Sequence, residues 1–347
     1  MLNYCALWPA GEAEIIGGGI DEMMNRRQFV MAGSAAPALA MTACSRRPKG
    51  SASTGEVKTG GARMIPIDGG RYRVWTKRVG EGNIKVLTLH GGPGGNHMYL
   101  ECMEDFLPRE GIEFYYYDQL GGGFSDNPDD PSLWTVARYT NEVEQVRQAL
   151  GLKDFYLYGH SFGGMLGYEY ALKYGRNLKG LVISNMVASM PQYVRYVNKL
   201  RDELPPEVIA TMRKYEAKGE YEAPEYQKIL MEQVYSQHLC RLDPWPEPAE
   251  RYLRYLNTKI YNYMQGPSEF TVTGTYKDWD RSGDLKDIRT RSLLLGARYD
   301  TMDPEEMKRI ASTMPNARVA IGEKGSHCTL YDDQQWYFEE LIRFLRG

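Results

Sequence analysis

Three polar residues, far apart along the chain, stand in surroundings that suit covalent catalysis. Ser161 lies in Gly159-His-Ser-Phe-Gly163, a match to the G-x-S-x-G turn that lifts a serine clear of a sheet edge. A serine hydroxyl is a weak nucleophile until a base takes its proton. The bland alternative for these five residues is a glycine-rich strand–helix turn with a capping serine. The search for a base is short, because the chain has five histidines: His90, His97, His160, His238 and His327. His327 follows the serine, in Gly325-Ser-His327 after an apolar segment, and is the expected base. Asp300, in Ala297-Arg-Tyr-Asp300, is the expected acid that fixes the imidazole tautomer and supports its charged form. Asp303 competes for that role. However, Asp303-Pro-Glu-Glu306 reads as a helix N-cap, a proline at the first helical position and acids near the positive helix end.

The transition state of acyl transfer also needs donors for a developing oxyanion. His90-Gly-Gly-Pro-Gly-Gly95 leaves backbone N–H groups unshielded, and Gly92 is the expected first donor. Phe162, directly after the serine, is the expected second. No Gly-Lys-Ser/Thr follows the glycines, so the loop is not a phosphate-binding P-loop. His90 and His97 precede the serine and are read as shaping this region. Asp118, ending Phe114-Tyr-Tyr-Tyr-Asp118, is expected to brace the following loop through backbone hydrogen bonds. His238 is expected to be structural. Cys328, beside His327, reads as packing.

These residues need a scaffold that gathers strand ends. Residues 71–77 alternate as an edge strand of a meander, and 84–89, 114–118, 155–158, 178–185, 291–296 and 317–321 are further strands. Helical spacing covers 135–150, 165–172 and 334–346. The alternation predicts an α/β fold with a mainly parallel sheet flanked by helices, and the site of such sheets lies beyond the strand C-termini. Between Asn185 and Leu285 the pattern turns helical, with helices expected over 191–204, 206–218, 223–239 and 248–265.

Together, His90-Gly-Gly-Pro-Gly94, Asp118-Gln-Leu-Gly-Gly-Gly-Phe-Ser125 and Gly159-His-Ser-Phe-Gly-Gly164 resemble the proline iminopeptidase family of α/β-hydrolases. The resemblance implies an α/β-hydrolase core over 62–190 and 285–347 and a helical cap over 191–284. It implies a serine hydrolase that releases N-terminal proline or small apolar residues from short peptides or amino-acid amides, with no cofactor and no metal. Within the family, Gly266-Pro-Ser-Glu-Phe270 resembles a segment of the tricorn-interacting aminopeptidase whose Glu binds the substrate ammonium, which implies that role for Glu269. The second Glu that follows the triad Asp there is Thr301 here, and Leu120 stands where the family usually carries Arg. An esterase or lactonase using the same triad is the alternative, and a non-catalytic binding protein of this fold is a further one.

The formal net charge of −3 gives no global drive toward nucleic acid. Asn25-Arg-Arg-Gln-Phe-Val30 before an apolar run resembles a twin-arginine export signal, and Met41-Thr-Ala-Cys44 a lipoprotein cleavage box with Cys44 lipidated. The run is shorter than the ~20 residues a spanning helix needs. Residues 24–44 are therefore expected to be an export signal, 1–23 an upstream extension and 45–61 a flexible linker. The expected place is the bacterial envelope, periplasmic or lipid-anchored. Beyond the leader, Cys102, Cys240 and Cys328 show no metal or disulfide framework, although one pair stays open.

Overall fold

The computed structural model describes residues 59–347. The expected upstream extension, export signal, most of the linker, and Cys44 lie outside the described residues. The first element is β1 (Ala62–Ile67), followed by β2 (Tyr72–Val79), β3 (Ile84–Leu89) and β4 (Ile112–Tyr117). Helix α1 (Val136–Leu150) leads to β5 (Phe155–His160), α2 (Phe162–Tyr174) and β6 (Leu178–Ser184). These strands and two later ones form an eight-stranded sheet in the order β1-β2-β4-β3-β5-β6-β7-β8. β1, β2 and β4 pair antiparallel, and the remainder of the sheet is parallel.

β2 is not the edge strand its alternation suggested. β1 covers it, with Pro66 opposite Arg73. Pro66 interrupts the strand pattern in the sequence, yet an outermost strand tolerates a missing N–H because one side needs no partner.

The middle strands are buried on both faces. In β5, Phe155 and Leu157 join one core cluster, whereas Tyr156 and Tyr158 join the other. This is the period-2 alternation of a strand covered on both sides. Full burial of each large side chain contributes about 1.5–3 kcal/mol. Thus the strand carrying the elbow is among the best anchored in the sheet.

Between β6 and β7 the chain forms α3 (Met190–Asp202), α4 (Pro206–Glu216) and α5 (Pro224–Ile229). It then passes through a π-helical turn, Leu230–Tyr235, into α6 (Ser236–His238), α7 (Glu247–Arg254) and α8 (Thr258–Met264). Two expected helices differ from the observed ones. The 223–239 helix is real but holds the π turn. The 248–265 helix is broken, because Asn257 leaves helical geometry and its side chain caps α8 by accepting from Ile260 N–H. The sheet closes with β7 (Ser292–Ala297), α9 (Pro304–Thr313) and β8 (Ala317–Gly322), and the chain ends with α10 (Thr329–Asp332) and α11 (Gln334–Arg346).

The insert reaches back over the loops beyond the strand C-termini. Asn257 N–H donates to Gly94 O at 2.9 Å, and its side-chain amide donates to Gly121 O at 2.8 Å. A Cβ on Gly121 would lie 2.3 Å from Ile260 Cδ1, and one on Gly94 2.7 Å from Asn257 O. Gly94 is therefore also required by the close approach of the backbone ahead of α8, whereas at Gly121 the tip of the Ile260 side chain would turn aside.

Candidate active site

β5 runs directly into α2 through Ser161, whose φ of 54° and ψ of −126° are unusual for a residue with a side chain. Such strain persists only where surrounding contacts fix it. Here Ser161 N–H donates to Ser184 O at 3.0 Å. The turn passes so near the neighbouring strand that a Cβ on Gly163 would lie 2.2 Å from Leu89 O. Phe162 opens α2, so its N–H belongs to the first turn, whose donors have no intrahelical acceptor. Ser161, Gly92, Phe162 and Glu269 line one narrow pocket, whose walls also include Met186, Met190, Tyr276 and Met302.

Asp300 lies just beyond β7 and is fully buried. Its Oδ1 accepts from His327 Nδ1 at 2.8 Å and from Met302 N–H at 3.1 Å. Its Oδ2 accepts from Asn185 Nδ2 at 2.7 Å. Burial works against the charged form of His327, but the Asp300 charge and hydrogen bond outweigh it, so its pKa is raised above 6.5. With Nδ1–H given to Asp300, Nε2 is the free acceptor of the neutral ring. The His327 side-chain bond runs to Asp300, and no hydrogen bond joins it to the Ser161 hydroxyl among the described residues. Such bonds often tighten only when substrate is seated.

The elements bearing these groups are tied to one another by a second histidine. His160 Nε2 donates to His327 O at 2.9 Å, and its Nδ1 accepts from Tyr99 OH at 3.0 Å. Tyr99 OH in turn accepts from Gly91 N–H at 2.7 Å. One neutral imidazole thus links the glycine loop, the elbow and the His327 loop. Complete burial, with His327 nearby, pushes the His160 pKa down to about 3, so the ring stays neutral. Asn185 and His160 both act through the groups they hold, and the sequence reading gave neither a role at the site. The signal for His160 was its place inside the elbow motif. For Asn185 it was its place at a strand end, where its φ of 53° marks a constrained backbone.

The other histidines and acids are occupied elsewhere. His90 Nε2 accepts from Gln119 N–H, and its Nδ1 contacts Gly91 O. His97 Nδ1 donates to Asp118 Oδ1 at 2.8 Å. Asp118 Oδ1 and Oδ2 also accept from His97 N–H and Phe124 N–H, which braces the 118–126 loop. Asp303 caps α9 by accepting from Glu305 N–H, with Pro304 as first helical residue. His238 Nδ1 donates to Tyr299 O, and its carbonyl accepts from His327 N–H, so it supports both the Asp300 and His327 loops.

Glu269 reaches the cavity from the insert, after α8. Its carboxylate accepts from Tyr193 OH at 2.8 Å and Tyr261 OH at 2.5 Å. Thr301 is buried, and its hydroxyl is directed to Asp300 Oδ1 at 3.4 Å. At Leu120 the main chain braces the loop: its N–H donates to Glu142 and its carbonyl accepts from Tyr139 OH.

A serine on a strained strand–helix turn, and a histidine–carboxylate pair on loops after the last two parallel strands, define an α/β hydrolase. The alpha/beta hydrolase fold family matches residues 85–334. The chain is 46% identical over 290 residues to the proline iminopeptidase of Elizabethkingia meningoseptica, covering 82% of this chain and 97% of that one. It is 47% identical over 291 residues to the proline iminopeptidase of Chitinophaga pinensis, with the same coverage. Among solved structures, the proline iminopeptidase of Mycobacterium smegmatis superposes with a TM-score of 0.76 at 29% identity, over 82% of this chain and 97% of that one. The chain belongs to the proline iminopeptidase family of α/β hydrolases.

Proposed function

We propose that the protein is a serine aminopeptidase that releases N-terminal proline, or another small apolar residue, from short peptides and amino-acid amides. The observation that carries this reading is the Glu269 carboxylate, oriented by two tyrosine hydroxyls in the same cavity as Ser161. An exopeptidase must anchor a cationic amine, and a carboxylate does so through charge-assisted hydrogen bonds. Both tyrosines donate to Glu269, so they orient it and leave lone pairs for an ammonium. Met186, Met190, Met302 and Tyr276 supply an apolar wall for a small side chain or ring.

In the proposed reaction His327 Nε2 takes the Ser161 proton while Oγ attacks the carbonyl carbon. Gly92 and Phe162 N–H groups hold the resulting oxyanion. Asp300 stabilises the imidazolium, which then protonates the leaving nitrogen as the C–N bond breaks. Water, deprotonated by His327, attacks the acyl-Ser161 ester, and the amino acid leaves as Ser161 regains its proton. Ser161→Ala is expected to lower turnover of proline p-nitroanilide by roughly 10³-fold or more with an unchanged circular dichroism spectrum. Near-normal turnover would overturn the assignment. Glu269→Gln separates the peptidase from the esterase reading. It is expected to reduce kcat/KM for the free-amine anilide and spare p-nitrophenyl acetate, whereas equal loss on both substrates would remove the amine-anchoring role.

We further propose that residues 24–44 export the protein to the bacterial envelope and that Cys44 carries a lipid. This rests on the paired Arg26-Arg27 before an apolar run and on the small-residue box that ends at Cys44.

A further inference from the structure

Two buried thiols meet where the insert touches the His327 loop. Residues 238–240 leave α6 and run beside residues 326–328. His327 N–H donates to His238 O at 3.0 Å, Cys328 N–H donates to Leu239 O at 2.8 Å, and Ser326 Oγ donates to Leu239 O at 3.0 Å. These contacts bring Cys240 alongside Cys328, both within one apolar cluster and both free thiols. The neighbouring Cys328 thiol lowers the Cys240 pKa, and the Cys240 thiol, together with burial, raises that of Cys328. Cys102 belongs to the same cluster, but its thiol is directed at Tyr99 O and Leu330 O, at 3.8 and 3.9 Å.

We propose that Cys240 and Cys328 are a disulfide site, closed by a small-molecule disulfide oxidant, that fastens the helical insert to the loop carrying His327. The Cys240 thiolate attacks one sulfur of the oxidant and expels the other as a thiolate, giving a mixed disulfide. Cys328 then loses its proton and attacks Cys240 Sγ, expelling the second thiolate. The oxidant gains two electrons, and its two leaving thiolates take up the two protons. Both cysteines lie outside the proposed catalytic machinery, so the bond adds a covalent tie between parts now joined by three hydrogen bonds. The link spans a long stretch of sequence, the situation in which a cross-link restrains the unfolded chain most. The site does not depend on the identity of the substrate. It fits an envelope enzyme, since disulfides persist in oxidising compartments.

The test uses the full-length protein, purified reduced and incubated natively with oxidised glutathione. After denaturation and blocking with N-ethylmaleimide, trypsin separates Cys240, Cys328 and Cys102 onto peptides 229–241, 325–343 and 86–109, apart from Cys5 on 1–26 and Cys44 on 28–46. The expected result is a species joining 229–241 to 325–343, two hydrogens lighter than the summed peptides and removed by dithiothreitol. It should persist in Cys102→Ser and vanish in Cys240→Ser. Oxidation should also raise the unfolding temperature of the wild type and of Cys102→Ser but not that of Cys240→Ser. Full maleimide labelling of Cys240 and Cys328 after prolonged oxidation would overturn the proposal. So would a cross-link from Cys328 to Cys102, or glutathione retained on Cys240 as the end product.

Discussion

At the scale of single residues, the site is a set of groups whose environments push them toward different protonation states. His160 and His327 sit with ring centroids 4.9 Å apart, yet burial keeps the first neutral while Asp300 raises the second. The sign for catalysis follows. The proposed base works only when neutral, so activity is expected to fall as pH drops through the raised His327 pKa. The acid limb of kcat/KM is therefore expected above the ordinary histidine value of 6.5. In Asp300→Asn the limb should move to lower pH, because the group that favours the imidazolium has lost its charge, and kcat should fall by roughly 10⁴. A pH–rate profile of both proteins checks this, and an unmoved limb in the variant would show that another group sets it. The proposed triad of Ser161, Asp300 and His327 was named from the sequence through the elbow motif and the places of the other two after apolar strand segments. Asn185 and His160 were not assigned, because a positioning residue is defined by its partners, and those come from distant segments. Glu269 was reached only through resemblance, since no local pattern marks a carboxylate that two tyrosines from elsewhere will orient.

At the scale of elements, glycines and caps decide whether the loops can come together. The elbow tolerates little: a Cβ on Gly163 meets the Leu89 carbonyl, which cannot give way without moving β3. Gly163→Ala is expected to cost stability and nearly all activity, read as a lower unfolding temperature and a fall in kcat. A soluble, fully active variant would contradict the geometry. Asn257 serves α8 as N-cap and also holds the glycine loops through Gly94 and Gly121. Asn257→Ala removes a cap worth about 0.5–2 kcal/mol and one tie between insert and core. Denaturant unfolding should show a loss in that range, with KM rising more than kcat falls as the insert loosens over the site. This break between α7 and α8 was not read from the sequence, because tertiary hydrogen bonds to Asn257 override a continuous helical period. The π turn at Leu230–Tyr235 escaped for a similar reason. One extra residue in a turn leaves the apolar spacing almost unchanged, and α6 follows it directly, with His238 bonded to the Asp300 and His327 loops.

At the scale of the whole molecule, the parallel half of the sheet was legible because its strands are short apolar runs bounded by turns. The antiparallel margin was less so: β1 carries Pro66 and reads poorly as a strand, and its absence from the pattern made β2 look like the edge. The insert was recognisable as helical, yet its contacts with Gly94, Gly121 and His327 could come only from the folded chain. None of the helices among the described residues is long and apolar enough to cross a membrane. The proposed export and lipidation separate cleanly in a bacterial host. Replacing Arg26 and Arg27 by Lys keeps the charge but alters the paired guanidinium groups, and is expected to leave the enzyme in the cytoplasmic fraction with its activity intact. Cys44→Ala leaves the paired arginines in place and removes the thiol that would carry the lipid. That variant should still leave the cytoplasm but lose metabolic labelling with palmitate, and move from the membrane to the soluble periplasmic fraction. Wild-type protein found in the cytoplasm would remove the export reading. Wild-type protein in the soluble periplasm, without palmitate, would remove lipidation alone and leave the peptidase site untouched.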